Sequence, residues 1–143
     1  MVLVDANVLL DLVTGPNAWS EWSAGQLRLA VAKGPLLSND VVFAEVSIGF
    51  LRVEEVEEVF ASAQVALAPL PRPALFRAGK AFHEYRRRGG TKTGVLPDFF
   101  IGAHAAVAGL PLITRDPRRY RAYFPTLRLI APPEPLPPAA GAG

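Results

Sequence analysis

Short β-branched or leucine-rich runs alternate along this chain with longer segments whose apolar residues recur at helical spacing. Val2 to Val4 is a strand-like run that stops at Asp5-Ala6-Asn7; Val8-Leu9-Leu10 and Leu12-Val13 then predict a short helix ended by Gly15-Pro16. Trp19 to Lys33 predicts a second helix, stopped by Gly34-Pro35 before the short run Leu36-Leu37. Ser38-Asn39-Asp40 offers N-caps for a helix over Val41 to Leu51, which is apolar on almost every side except Glu45 and Ser47 and is therefore expected to be buried. A more exposed, acidic helix over Glu54 to Ala63 follows, then a third strand at Val65-Ala66-Leu67 and a proline-spaced turn from Pro69 to Pro73.

Ala74 to Arg88 predicts a long helix ending at Gly89-Gly90, with Gly89 to Gly94 a mobile loop. Pro97 suits the first turn of a helix running to about Gly109. Leu110 to Thr114 is a fourth strand and Leu127 to Ile130 a fifth. Strand and helix alternating at these spacings predict one three-layer α/β domain over residues 1–131, with a mainly parallel sheet of four to five strands flanked by helices. The remainder, residues 132–143, is proline-rich and lacks the apolar side chains needed to pack, so an extended or disordered tail is expected there.

Composition narrows the chemistry. The chain has 143 residues, the size of one ordinary domain, with 50% apolar against 20% charged residues, which argues against disorder over most of its length. Having no cysteine, it holds no disulfide, zinc-thiolate site or thiol nucleophile, and any metal must bind through oxygen or the two histidines. The opening MVLVDANVLLDLV carries charge at Asp5 and Asp11 and no basic leader, so neither a secretory signal nor a membrane span is expected, and the expected location is cytoplasmic. Net charge is only +2, but bases cluster at Arg86-Arg87-Arg88 with Lys92 and at Arg115, Arg118, Arg119 and Arg121. These clusters suit an anionic substrate and equally suit a solvated arginine face.

Four carboxylates, Asp5, Glu45, Asp98 and Asp116, each sit beside an apolar run, in a chain with only five aspartates. In a parallel α/β domain, strand ends and helix starts gather along one edge of the sheet, so this placement predicts an acidic pocket. Each acid also has a plain structural explanation. Asp5 and Asp116 suit helix capping, the latter with Pro117 at the first helical position, and Asp98 suits a helix dipole. Glu45 is harder to explain so, because its segment is apolar and a buried glutamate needs a partner. Asp98, Gly102, Ala105 and Gly109 share one helix face, which is expected to press closely against neighbouring backbone. Carboxylates about 4 Å apart repel by roughly 4 kcal/mol at an effective dielectric near 20, so convergence requires protons or a divalent cation. Oxygen ligands without cysteine select Mg²⁺ or Mn²⁺, the equipment for metal-assisted attack on a phosphodiester.

VLVDANVLLDL, VVFAEVSIGF, LPDFFIGAHAAVAGLPLITRD and RDPRRYRAYFPTLRLI, in this order, resemble the PIN-domain ribonucleases, specifically the VapC-type toxins of toxin–antitoxin pairs. The resemblance spans nearly the whole chain up to the tail. It implies a Mg²⁺-dependent endoribonuclease, with Mn²⁺ a possible substitute, in which Asp5 and Asp98 ligate the metal directly, Glu45 and Asp116 complete the pocket, and a metal-activated water attacks RNA. It further implies that Asn7 and Thr114 hold these acids in place, that a cognate antitoxin covers the pocket, and that the protein forms a homodimer. Arg115 and Arg119 are candidate contacts to substrate phosphate and equally suit surface bases. Two other readings stay open: an RNA-processing PIN nuclease without an antitoxin, and a catalytically silent RNA- or protein-binding module. An aspartate-nucleophile phosphatase ranks low because Asn7 stands where its second Asp belongs, and a dinucleotide fold fails for want of Gly-x-Gly-x-x-Gly. His104 and His83 are expected to be structural, Asp11 to be exposed, and Trp19 and Trp22 to be core or interface residues.

Overall fold

The computed structural model describes residues 1–133. The expected tail thus lies almost wholly outside the described residues. Among the described residues five short strands, β1 (Val2–Val4), β2 (Leu36–Ser38), β3 (Val65–Leu67), β4 (Leu112–Ile113) and β5 (Leu129–Ile130), form one sheet in the order β3-β2-β1-β4-β5. Every pairing is parallel, with Leu3 opposite both Leu37 and Leu112. The α/β expectation and the strand count hold. Parallel strands buried on both faces carry continuous apolar runs, and β1 is accordingly buried at all three positions.

Among the described residues seven helices fill the crossovers: α1 (Ala6–Val13), α2 (Ser20–Lys33), α3 (Asp40–Ser47), α4 (Val53–Ser62), α5 (Arg72–Arg87), α6 (Pro97–Ala108) and α7 (Arg118–Tyr123). Among the described residues no helix is long and apolar enough to cross a membrane. Strand order reverses at β1, whose two neighbours are reached by crossovers in opposite directions, and the C-terminal ends of β1 and β4 lie side by side there. Such a switch point opens the crevice in which doubly wound sheets bind ligands. The Asp5 amide donates to the Ile113 carbonyl at 3.0 Å, so Asp5 and the residue after Ile113, Thr114, leave the sheet together.

Three expectations need correction. The helix foreseen over Val41 to Leu51 ends at Ser47, whose hydroxyl donates back to the Phe43 carbonyl at 2.6 Å, and the chain turns through Gly49. Ile48 and Leu51 consequently stand 87% and 97% exposed rather than buried. The Gly89–Gly94 loop is tied to α5: the Gly90 amide donates to the Tyr85 carbonyl at 2.9 Å, Arg86 Nη1 to the Lys92 carbonyl at 3.0 Å, and the Lys92 amide to the Tyr85 hydroxyl at 3.2 Å. A side chain at Gly90 would collide with the Tyr85 ring, so glycine permits this seat. The small-residue face of α6 meets aromatic side chains rather than backbone: a Cβ at Gly102 would lie 2.6 Å from Phe124 and 3.0 Å from Tyr120.

Candidate active site

Asp5 caps α1, and its fold position follows from that. Its Oδ1 accepts the Ala6 amide at 2.7 Å, which satisfies one of the orphan donors at the helix start. Its Oδ2 accepts from the Thr114 hydroxyl and the Tyr120 hydroxyl, both at 2.8 Å, and more weakly from the Asn7 amide at 3.5 Å. The capping explanation and the pocket explanation are thus both satisfied by one side chain, which is 4% exposed. Asn7 donates to Thr114 Oγ1 at 3.3 Å and accepts the Arg115 amide at 3.3 Å. Thr114 Oγ1 in turn accepts the Asp116 amide at 3.1 Å. Asn7 and Thr114 therefore join β1 and β4 around Asp5.

Glu45 lies in the last turn of α3, where its Oε1 is buried and has no hydrogen-bond partner among the described residues. Asp98 sits in the first turn of α6, one third exposed, and Asp116 follows β4 at the mouth of the crevice with 53% of its side chain exposed. Arg119 Nη1 meets Asp98 at 3.3 Å, and Arg118 Nε meets Asp116 at 3.1 Å. Asp116 does not cap α7, whose N-cap is Pro117 without a side-chain hydrogen bond. Its carboxylate faces Arg118 instead.

The charges of these acids act on one another. Burial pushes the Asp5 carboxyl up to about 6; the Tyr120 hydroxyl draws it back and the Asp98 charge raises it again. Burial, then the charges of Asp5 and Asp98, raise Glu45 to about 7. Asp98 is raised by burial, lowered by Arg119 and raised again by Asp116. The charges of Asp5, Glu45 and Asp98 are felt among one another and that of Asp116 is felt at Asp98, so the four acids, from four separate elements, lie within electrostatic reach of a common region. Among the described residues no group of three or more Asp, Glu or His side chains is placed so that it could hold a metal ion. Mg²⁺ does not require one, since it keeps several waters and takes one or two protein carboxylates. The oxygen-only donor set and the orphaned Glu45 oxygen fit such an ion.

Tyr120 escaped the sequence reading. It is fully buried on α7, and burial followed by the charges of Asp5 and Asp98 holds its phenol well above the usual range, so it remains a donor to Asp5. The available signal was the spacing of Tyr120 and Phe124, one helical turn apart in an otherwise arginine-rich segment. Asp11 was also misplaced. It is buried, accepts the Ser23 hydroxyl at 2.7 Å and lies 3.0 Å from Arg115 Nε. Arg115 further covers the Trp19 ring at 5.7 Å, so this arginine points at Asp11 and Trp19. Trp19 is a core residue as expected. His104 is buried and lowered by burial, and its Nδ1 pairs with the Asn39 amide at 3.0 Å, while Asn39 Oδ1 caps α3. This bond ties the start of α3 to α6, so His104 is structural as expected, whereas His83, also expected to be structural, is exposed.

The family model of the PIN domain matches residues 2–125. No curated protein matches at a significant level. Among solved structures, the VapBC2 complex of Rickettsia felis bound to promoter DNA matches with TM-score 0.71 and 16% identity, over 93% of this chain and 100% of that one. VapBC-1 from nontypeable Haemophilus influenzae matches with TM-score 0.67 and 16% identity, over 92% and 98%. Mycobacterium tuberculosis VapC20, described as a sarcin-ricin loop cleaving toxin, matches with TM-score 0.60 and 15% identity, over 85% and 95%. At these identities the likeness is one of fold. The domain match covers almost all of the residues that build the sheet and the acidic crevice, and the chain belongs to the PIN domain family.

Proposed function

We propose that this chain is a divalent-metal-dependent endoribonuclease that acts as the toxin of a toxin–antitoxin pair. The observation that carries the reading is the coupling of Asp5, Glu45, Asp98 and Asp116 at the switch point of a parallel sheet, with Asp5 and Glu45 raised to about 6 and about 7. A structural cap or a surface acid gains nothing from such repulsion. A cation bound there lowers it, and strongly perturbed acids in a crevice mark functional sites.

Asp5 and Asp98 would hold Mg²⁺ or Mn²⁺, with Glu45 and Asp116 completing the acidic wall. When bound, the ion supplies Lewis-acid polarisation of a phosphate oxygen and an activated water. The chain's own residues do the rest. Thr114, Tyr120 and the Ala6 amide fix the Asp5 carboxylate so that it does not rotate as charge changes nearby. Glu45, raised to about 7, can take or give a proton near neutral pH at its unpartnered Oε1. Arg119 neutralises Asp98 and is within reach of an incoming phosphate at the same groove.

The solved VapBC complexes support an antitoxin as partner, and a homodimer in the cytoplasm is part of the same proposal. The test is mapping of cleavage ends on total RNA incubated with the purified chain and Mg²⁺ or Mn²⁺, beside Asp98→Asn. Metal-dependent ends absent from the variant support the reading, and identical ends in both preparations refute it. A small neighbouring gene product that binds the chain and stops cleavage would establish the toxin role over RNA processing.

A further inference from the structure

Two surface grooves meet at Tyr123. One, of about 380 Å³, is bounded by Asp98, Asp116, Arg118, Arg119, Tyr85 and Tyr123 and is the outer mouth of the acidic crevice. The other, of about 310 Å³, runs between α5 and the end of α7 past Tyr123 and carries Arg77, Lys80 and Arg88. Arg88 lies 4.6 Å above the Tyr123 ring centroid, and Tyr85 meets Tyr123 edge-on at 6.4 Å. Glu84 lines the second groove too, but it is ion-paired with Arg87 at 2.8 Å and Arg88 at 3.0 Å. A positive channel with interleaved aromatic rings thus leads away from the acids. The ribonuclease proposal gives it no role.

We propose that this channel is a binding track for single-stranded RNA, in which a base on one side of the cut stacks on the outer face of the Arg88 guanidinium laid over Tyr123 and the neighbouring phosphates lie along Lys80 and Arg77. This rests on the ribonuclease reading only for the direction of the strand. Lys and Arg neutralise phosphates, and every unpaired base has a face that stacks on tyrosine or on a guanidinium plane. Duplex RNA hides its bases and is bound by shape across a wide groove, so it is not the ligand here. Arg77 and Lys80 are exposed; Lys80 lies away from the buried stripe of Ala74, Ala78 and Ala81 and Arg77 at its edge, so as surface side chains both can be substituted without emptying the core.

The test is fluorescence anisotropy in EDTA with a labelled twelve-nucleotide single strand, at several salt concentrations, comparing the wild type with the Arg77→Glu/Lys80→Glu double variant. We expect a loss of affinity of about tenfold or more and a salt slope reduced by about 1.4, the value for two phosphate contacts on a single strand. The charge-keeping variant Arg77→Lys/Lys80→Arg retains binding. Unchanged affinity and slope in the glutamate variant overturn the proposal, as does equal affinity for duplex RNA or equal competition by a poly-aspartate peptide. Because binding is read without metal, the two readings fail separately: wild type that cuts RNA while the variants bind normally removes the track alone. RNA binding that depends on Arg77 and Lys80 without any cleavage removes the nuclease and keeps the track.

Discussion

The Tyr120 hydroxyl lies 2.8 Å from Asp5 Oδ2, a hydrogen bond that spans 115 positions of sequence and ties α7 to the end of β1. The same carboxylate oxygen already accepts from Thr114, so its two short partners fix the plane of the group before any ion arrives. Tyr120→Phe keeps the ring and deletes this bond. Supporting hydrogen bonds around metal ligands are typically worth about 10–100-fold in affinity. We expect Mn²⁺ affinity to fall by about tenfold with the folded structure retained, as read by calorimetry and near-ultraviolet circular dichroism; unchanged affinity would show that Tyr120 only fills space.

Gly102 places that tyrosine. A Cβ there would stand 2.6 Å from Phe124 Cδ2 and 3.0 Å from Tyr120 Cδ1, both on buried rings with little room to retreat. Gly102→Ala should cost about 1–3 kcal/mol of overpacking, outweighing the roughly 1 kcal/mol that alanine gains over glycine inside a helix. Urea unfolding checks this, and a more stable variant would contradict it.

The acids give the metal-free protein an inverted pH response. Asp5 and Glu45 have folded values near 6 and 7, above their ordinary 3.8 and 4.5, so between these limits the folded chain holds more protons than the unfolded one. Stability contributed by these groups is therefore complete below about pH 4 and falls as pH rises through 6 to 7, by on the order of 3 kcal/mol for Asp5 alone. In EDTA, Tm should drop between pH 5 and pH 8, and Mn²⁺ should restore it; a Tm that rises over this range contradicts the assignment.

Glu45→Gln separates stability from function. It removes a charge whose Oε1 has no partner among the described residues and which Asp5 and Asp98 repel. The variant should be the more stable protein at pH 8, by about 1 kcal/mol, while losing metal-dependent RNA cleavage. Lower stability with intact cleavage would assign Glu45 to the fold.

Arg115 pairs with Asp11, whereas Arg119 pairs with Asp98. Arg115 sits 3.0 Å from buried Asp11, and removing one partner of a buried pair typically costs about 3–5 kcal/mol. With 28% of the arginine side chain exposed, a smaller loss of about 2 kcal/mol is expected for Arg115→Ala, with RNA affinity changed by less than twofold. Loss of RNA binding without loss of stability would return Arg115 to the substrate.

The sequence carried the fold because strand and helix periodicities are local: all five strands and the long helices stand within a few residues of where the apolar runs place them. Asp5, Asp98 and Asp116 stand out in the sequence because each lies next to a strand end or helix start that parallel topology brings to one edge, whereas Glu45 stands in the last turn of α3 and is marked only by its apolar surroundings. Helix ends decided by a back-bonding hydroxyl, as at Ser47, are not visible in hydrophobic spacing. Neither is a long-range partner. The buried setting of Asp11 depends on Ser23 and on Arg115, 104 positions away, and the Tyr120 hydroxyl meets Asp5 only after β1 and β4 have paired, so neither shows in local spacing.

We expect the acidic crevice to hold a divalent cation. Calorimetric titration of Mn²⁺ at pH 7, repeated in two buffers of different ionisation enthalpy, reads this binding without any RNA. Because Glu45 is about half protonated there and Asp5 partly so, binding should release protons in the wild type, and both binding and release should vanish in Asp5→Asn and Asp98→Asn. Absence of Mn²⁺ binding by the wild type, or undiminished binding by those two variants, would contradict it.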